Sequence, residues 1–247
     1  MTVSSREGIA DVYSGEITAR RYVADRFASE LYRLLHDRQV AAINRTIEMF
    51  PNGRFLEIAP GPGRITRDVR HRGTVVCLEY NWDMIAIGRN GCKYEVRWVR
   101  GDAFHLPFRQ EFDVAYAFRF VRHFHQEDRH LLYAQVRRVL KPGAYFLFDA
   151  LNARGPWPRQ DRMHSRSPFP PVYDKFYRSI PELRDEMSAA GFEVMSLEPV
   201  HRCYRAQYLA QVLIAPRSRW LCRVIIRGLE RLAGGPPMEW IVTCRCA

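Results

Sequence analysis

The stretch Phe55-Leu56-Glu57-Ile58-Ala59-Pro60-Gly61-Pro62-Gly63-Arg64-Ile65-Thr66 constrains the fold more than any other part of the chain. A short apolar run carrying an acid enters a turn with two glycines and two prolines, and helix-compatible residues follow. This reads as strand, tight loop, helix. Gly61 and Gly63 have no Cβ, so the backbone there can take positive φ and approach a ligand closely. Amide groups at the following helix start would face that ligand, and Glu57 would accept hydrogen bonds from a cation or hydroxyls. Turns with two glycines and a nearby acid are also common in ordinary loops.

A second apolar run closed by an acid, Thr74 to Glu79, lies roughly twenty residues downstream, the spacing of a ribose-binding carboxylate in a Rossmann-like unit. Elements then alternate: Met84–Asn90, Tyr94–Val99, Phe112–Ala117, Glu127–Leu140. This order predicts right-handed crossovers, a parallel sheet covered on both faces, and a ligand outside the carboxyl ends of the strands, where Ala59, Glu79, Asp102 and Phe118 converge.

These segments resemble the class I S-adenosylmethionine-dependent methyltransferases, in particular the group acting on small molecules, from roughly Tyr13 to Val200. Gly61 and Gly63 match the last two glycines of the family's acid and Gly-x-Gly-x-Gly pattern; Ala59 replaces the first. Gly101-Asp102-Ala103-Phe104-His105-Leu106-Pro107-Phe108 resembles the adenine-lining segment, and Val139 to Phe148 resembles the helix end, turn and fifth strand. The resemblance implies S-adenosyl-L-methionine as cofactor, held by Glu57, Ala59, Pro60, Gly61, Gly63, Glu79, Tyr80, Met84, Asp102, Ala103 and Phe118. Glu79 would hold the ribose hydroxyls, and Asp102 would accept from the exocyclic amine. The implied fold is a doubly wound, mostly parallel, seven-stranded α/β sheet with an antiparallel last strand.

The 247 residues, 47% of them hydrophobic, suffice for one substantial core. A single domain is expected: an N-terminal helical cover (1–50), a cofactor-binding core (51–150), a lid-like insertion (151–178) and a C-terminal part (179–247) with its own insertion (201–237). Ala24 to Phe50 reads as helical with a break at His36, after which Asp37 starts a second helix. Tyr13, Arg20 and Tyr22 are candidate contacts to cofactor or substrate and equally read as ordinary surface residues.

Phe118-Arg119-Phe120-Val121-Arg122-His123-Phe124-His125 follows the fourth strand, which in the resembling fold faces the transferred methyl. Arg119 suits a carboxylate or phosphate, and His123 or His125 a substrate proton. Paired histidines also occur there as helix-start or packing residues. After the fifth strand, Gly155-Pro156-Trp157-Pro158 and Ser167-Pro168-Phe169-Pro170-Pro171 exclude regular structure and suggest a lid walled by Trp157, Phe169 and Tyr173. Ser179-Ile-Pro-Glu182 is a capping box. Phe192–Val200 and Glu239–Cys246 read as the sixth and seventh strands.

Arg219, Arg223, Arg227 and Arg231 recur every four residues, with Leu221, Val224, Ile225, Leu229 and Leu232 on the other side of the helix. A basic amphipathic helix of this kind suits peripheral membrane contact through 218–233, or a packed helix with a solvated basic face. Thirty-eight basic against 27 acidic residues give a net charge of +11, which permits nucleic acid without favouring it, since no basic cluster is interleaved with stacking aromatics. The scattered cysteines, including Cys244-Arg-Cys246, lack zinc and redox spacings, so no metal is expected and buried thiols are. The polar N-terminus and the lack of a membrane-length apolar run suggest a cytoplasmic protein. The functional expectation is methyl transfer to a small, partly apolar metabolite, an oxygen acceptor ahead of a quinone-like ring carbon. The alternatives are an RNA methyltransferase or a cofactor-binding module without catalysis. The acceptor and the oligomeric state are not readable.

Overall fold

The computed structural model describes residues 29–92, 95–155, 176–232 and 234–247. Candidate residues Tyr13, Arg20, Tyr22, Trp157, Phe169 and Tyr173 lie outside them.

Helix α1 (Glu30–Ile47) is capped by the Ser29 hydroxyl, which accepts from the Leu31 amide. It precedes β1 (Arg54–Ile58), β2 (Thr74–Glu79), α2 (Trp82–Gly91), β3 (Arg97–Arg100) and β4 (Phe112–Ala117). A 3₁₀ turn (Val121–His123) leads to α3 (Gln126–Val139), β5 (Leu140–Asn152) and the two-residue β6 (Phe176–Tyr177). The rest is α4 (Ile180–Ala189), β7 (Phe192–Val200), α5 (Tyr204–Leu213), α6 (Arg219–Arg231) and β8 (Glu239–Cys246).

The sheet order is β3-β2-β1-β4-β5-β8-β7, with β6 a short addition beside β5. Pairs β1–β2, β1–β4, β2–β3 and β4–β5 are parallel, and β8 is antiparallel to both β5 and β7. The expected doubly wound sheet with a reversed last strand is therefore present, with β6 as an eighth strand. Each central strand is apolar on both sides because each side is covered. Leu56, Ile58, Val76, Leu78, Ala115 and Phe146 pack with Leu132 and Val136 of α3 and Leu183 and Met187 of α4. Phe55, Val75, Val114 and Leu147 point the other way, onto Leu35, Ala42 and Ile43 of α1. A third cluster joins Leu31 and Leu34 of α1 to Ala210 of α5 and Cys222 and Ile226 of α6.

Two expectations about the N-terminal half are corrected. Helix α1 runs unbroken through His36, whose imidazole meets Asp68 and Arg64, and Asp37 accepts from Arg227 instead of capping a new helix. Residues 61–69 form successive turns and no regular helix. The Gly63 amide bonds to Pro60, Arg67 to Gly63, and Asp68 and Val69 both to the Ile65 carbonyl, so three- and four-residue closures alternate.

Candidate active site

The carboxyl ends of β1, β2 and β4 and the loop after β3 surround a cleft of about 310 Å³. Of the expected site residues, Glu57, Ala59, Pro60, Gly61, Glu79, Tyr80, Met84, Asp102, Ala103, Phe118, Arg119 and His123 line it. Two do not. Gly63, at φ 73°, lies where a Cβ would come within 3.5 Å of the Gly88 backbone in α2 and of the Trp98 ring. His125 is an exposed N-cap of α3.

The β1 side is acidic. Glu57, next to last in its strand, is 3% exposed, and its Oε2 accepts from the Thr66 hydroxyl (2.6 Å), the Tyr116 hydroxyl (3.2 Å) and the Cys77 thiol (3.8 Å). Burial pushes its pKa up to about 7 against the pull of Thr66, Tyr116 and Arg64. Glu79, at the end of β2, crosses to the neighbouring loop: Oε2 accepts the Gly61 amide and Oε1 the Asn81 amide, both at 2.9 Å. Burial raises its pKa too, opposed by those amides. Gly61 sits at φ 57°, and a Cβ there would meet nothing within 4 Å, so the loop presents bare backbone to open space. Ala59, where the resembling family has glycine, is also left-handed at φ 53°, held by its amide bond to the Leu78 carbonyl (2.9 Å). Asp102 accepts the Phe104 amide (2.9 Å) and pairs with His105 (2.8 Å).

The β4 side is cationic and aromatic. Arg119, at φ 60°, donates its amide to the fully buried Asp149 of β5, and its guanidinium lies 5.5 Å from the Tyr32 ring centroid of α1. Arg122 bridges Asp149 (3.3 Å) and Glu239 (3.4 Å), all three buried. Phe120 and Phe104 meet Phe124 edge-on at 4.9 and 5.0 Å, a preformed apolar wall. Arg64 ties the glycine loop to α1, donating to His36 Nδ1 (2.6 Å) and Gln39 Oε1 (2.9 Å). His36 in turn donates from Nε2 to Asp68 (2.7 Å), the tautomer of a neutral ring, and burial and Arg64 hold its pKa below the ordinary value.

Arg64, Phe104, Phe120 and Phe124 line the cleft without having been singled out from the sequence. Their signal was adjacency: each lies within a few residues of a candidate that was. All six cysteines are unbridged, four of them buried, and no group of metal-ligating side chains is present among the described residues.

Residues 55–143 match a family model described as a methyltransferase domain. A ubiquinone/menaquinone biosynthesis C-methyltransferase (UbiE) of Ectopseudomonas mendocina is 35% identical over 137 residues, covering 47% of this chain and 52% of the relative. Its counterpart in Bartonella tribocorum is 33% identical over 118 residues, covering 42% and 44%. The chain thus spans about half the length of the curated relatives it matches. A solved SAM-dependent methyltransferase of Thermotoga maritima shares the fold, with a TM-score of 0.60 at 18% identity over 96% of this chain and 99% of that one. A strand order with only its last member reversed, a ligand-sized opening at the strand tips and a matching family model across them agree: residues 55–143 are similar to a methyltransferase domain, and the chain has the fold of the class I S-adenosylmethionine-dependent methyltransferases.

Proposed function

We propose that the protein is a methyltransferase that binds S-adenosyl-L-methionine in this cleft and methylates a small, partly apolar acceptor. One observation carries the reading: three carboxylates, Glu57, Glu79 and Asp102, line one cleft of a chain whose net charge is +11. Two of them are buried at a desolvation cost, an arrangement suited to a cationic, hydroxyl-rich ligand. Gly61 supplies bare backbone beside them, so the residues present fit the cofactor. Glu57 takes the amino-acid end, Glu79 the ribose hydroxyls and Asp102 the base, with Tyr80, Met84, Ala103 and Phe118 as packing.

When bound, the cofactor supplies a methyl group on a positively charged sulfur, already a good leaving group. The chain's task is orientation, exclusion of water and a destination for a proton. Phe104, Phe120 and Phe124 exclude water. Arg119 gives the acceptor side positive charge, suited to an oxyanion on the acceptor. His123, buried on the same wall, receives the proton that a ring carbon or hydroxyl loses as it gains a methyl.

A carbon acceptor is taken ahead of the oxygen acceptor expected from the sequence, supported by the names of the two relatives above, C-methyltransferases of quinone biosynthesis. The apolar wall supports a quinone-like ring. Calorimetry with the cofactor and with S-adenosylhomocysteine tests the site, and radiolabelled methyl transfer to a demethylated quinol, followed by locating the label, tests the acceptor. Label on a ring carbon is expected. Label on oxygen would replace the acceptor reading alone, whereas the absence of heat with either ligand would remove the cofactor site.

A further inference from the structure

The α5–α6 hairpin leaves more apolar surface exposed than a packed amphipathic helix requires. An arginine stripe opposite an apolar stripe suggests that the apolar side is packed and the arginines solvated. In the structure Cys222, Ile226 and Glu230 of α6 face inward. Arg223 Nε donates to Glu30 (2.8 Å) and Arg227 to Asp37 (2.6 Å), which ties the middle of the basic stripe to α1 while Arg219 and Arg231 at its ends stay exposed. Only part of the apolar side is packed: Ile225 lies against the third cluster, whereas Leu221 and Val224 are exposed and Trp220, between Arg227 and Arg231 on the helix, is 70% exposed. Leu209, Val212 and Leu213 of α5 are exposed on the same hairpin, Leu209 at 58%. Soluble surfaces carry single exposed apolar side chains routinely; six on two adjacent helices mark a contact surface.

Charge selects the occupant. Residues 201–237 hold seven arginines and one acid, Glu230, which is buried beneath His201 and Gln207. Arg205, Arg217, Arg219 and Arg231 are exposed around the apolar face. A second copy joined through a two-fold axis would set arginine against arginine with no exposed acid in the segment to compensate. An anionic bilayer supplies the opposite charge together with an apolar layer at the depth of an amphipathic helix, and tryptophan favours that boundary. Among the described residues no helix is long and apolar enough to cross a membrane, so the hairpin would lie in the interface.

We propose that the outward face of α5–α6 docks the protein on anionic lipid surfaces, with Trp220, Leu221, Val224 and the α5 leucines among the headgroups and the arginines against lipid phosphates. The proposal does not depend on methyl transfer. Flotation of the full chain with phosphatidylcholine vesicles, with and without about one-third phosphatidylglycerol, tests it. The protein is expected to float only with the anionic vesicles and to be released by salt at about 0.5 M. The double variant Trp220→Ser/Val224→Ser is expected to lose at least about tenfold in vesicle affinity, and Arg219→Glu/Arg231→Glu to abolish flotation. Both keep the wild-type melting temperature, because these side chains are exposed. Absence of flotation with anionic vesicles, or undiminished flotation of both variants, would overturn the proposal. So would sedimentation of the wild type as a dimer that Trp220→Ser/Val224→Ser makes monomeric, which would give the face to a second copy.

Discussion

The two walls of the cleft are built on different electrostatic plans. On the β1–β2 side buried carboxylates are held mainly by neutral donors, the Thr66 and Tyr116 hydroxyls on Glu57 and two loop amides on Glu79, with Arg64 adding a weaker pull on Glu57. On the β4–β5 side Arg122 sits between two buried carboxylates, Asp149 and Glu239. The first plan leaves negative charge undercompensated and available to a cation. The second ties the loop after β4 to β5 and β8 through one buried cation. Cofactor binding and the anchoring of the loop after β4 therefore reside on opposite walls, and substitutions should separate them.

The largest effect is expected at Arg122. Arg122→Ala leaves Asp149 and Glu239 buried without their cation, so a loss of about 3–5 kcal/mol in urea denaturation is expected. Arg122→Met is expected to lose a comparable amount, since the two acids remain.

Glu57 comes next, through pH. Its pKa is about 7 in the fold against an ordinary value of 4.5, so between these values the folded state binds the extra proton. The contribution of Glu57 to stability is thus full below about pH 4.5, declines as pH rises, and above about pH 7 has fallen by about 3 kcal/mol. Glu57→Gln should flatten that slope in pH-dependent unfolding. It should also abolish the rise in affinity for S-adenosylhomocysteine that calorimetry is expected to show from about pH 6 to about pH 8, because the ligand's ammonium favours the ionised acid.

Glu79→Ala follows, with cofactor-product affinity down by about 1.5–3 kcal/mol, the range for hydrogen bonds to a charged group, and a small change in melting temperature. A large fall in melting temperature with unchanged affinity would erase the contrast between the walls. The smallest effect on stability belongs to Arg119→Gly. It relieves a left-handed residue but frees the unfolded chain and removes the contact with Tyr32, so stability should move by no more than about 1 kcal/mol while acceptor turnover falls.

Much of the sheet was legible because its strands are continuous apolar runs with clear punctuation. Thr74–Glu79, Phe112–Ala117, Phe192–Val200 and Glu239–Cys246 have the same bounds in sequence and structure. The helix start at Ser179 was equally plain from its capping box, and the hydroxyl accepts from Glu182 as that pattern requires. What failed depended on distant partners. The seating of α6 on α1 uses Glu30 and Asp37, about 190 residues away, and no local period encodes that the narrow line of Cys222, Ile226 and Glu230 faces inward. Left-handed Gly61 and Gly63 keep the start of the 61–69 segment out of a helix. In the cleft the acids were legible as strand-tip residues, while Arg64, Phe120 and Phe124 reach it from turns whose direction only the fold defines.

The left-handed residues bear on how this fold can be re-engineered. Ala59, Arg119 and His201 each follow the carboxyl end of a strand, and each is pinned through its own amide by another element: the Leu78 carbonyl, the Asp149 carboxylate and the Glu230 carboxylate. None of these bends is encoded where it occurs. A loop transplanted from a relative to alter acceptor choice would relax into a different path unless its remote anchor travelled with it, so residues 118–124 and Asp149 form one exchangeable cassette.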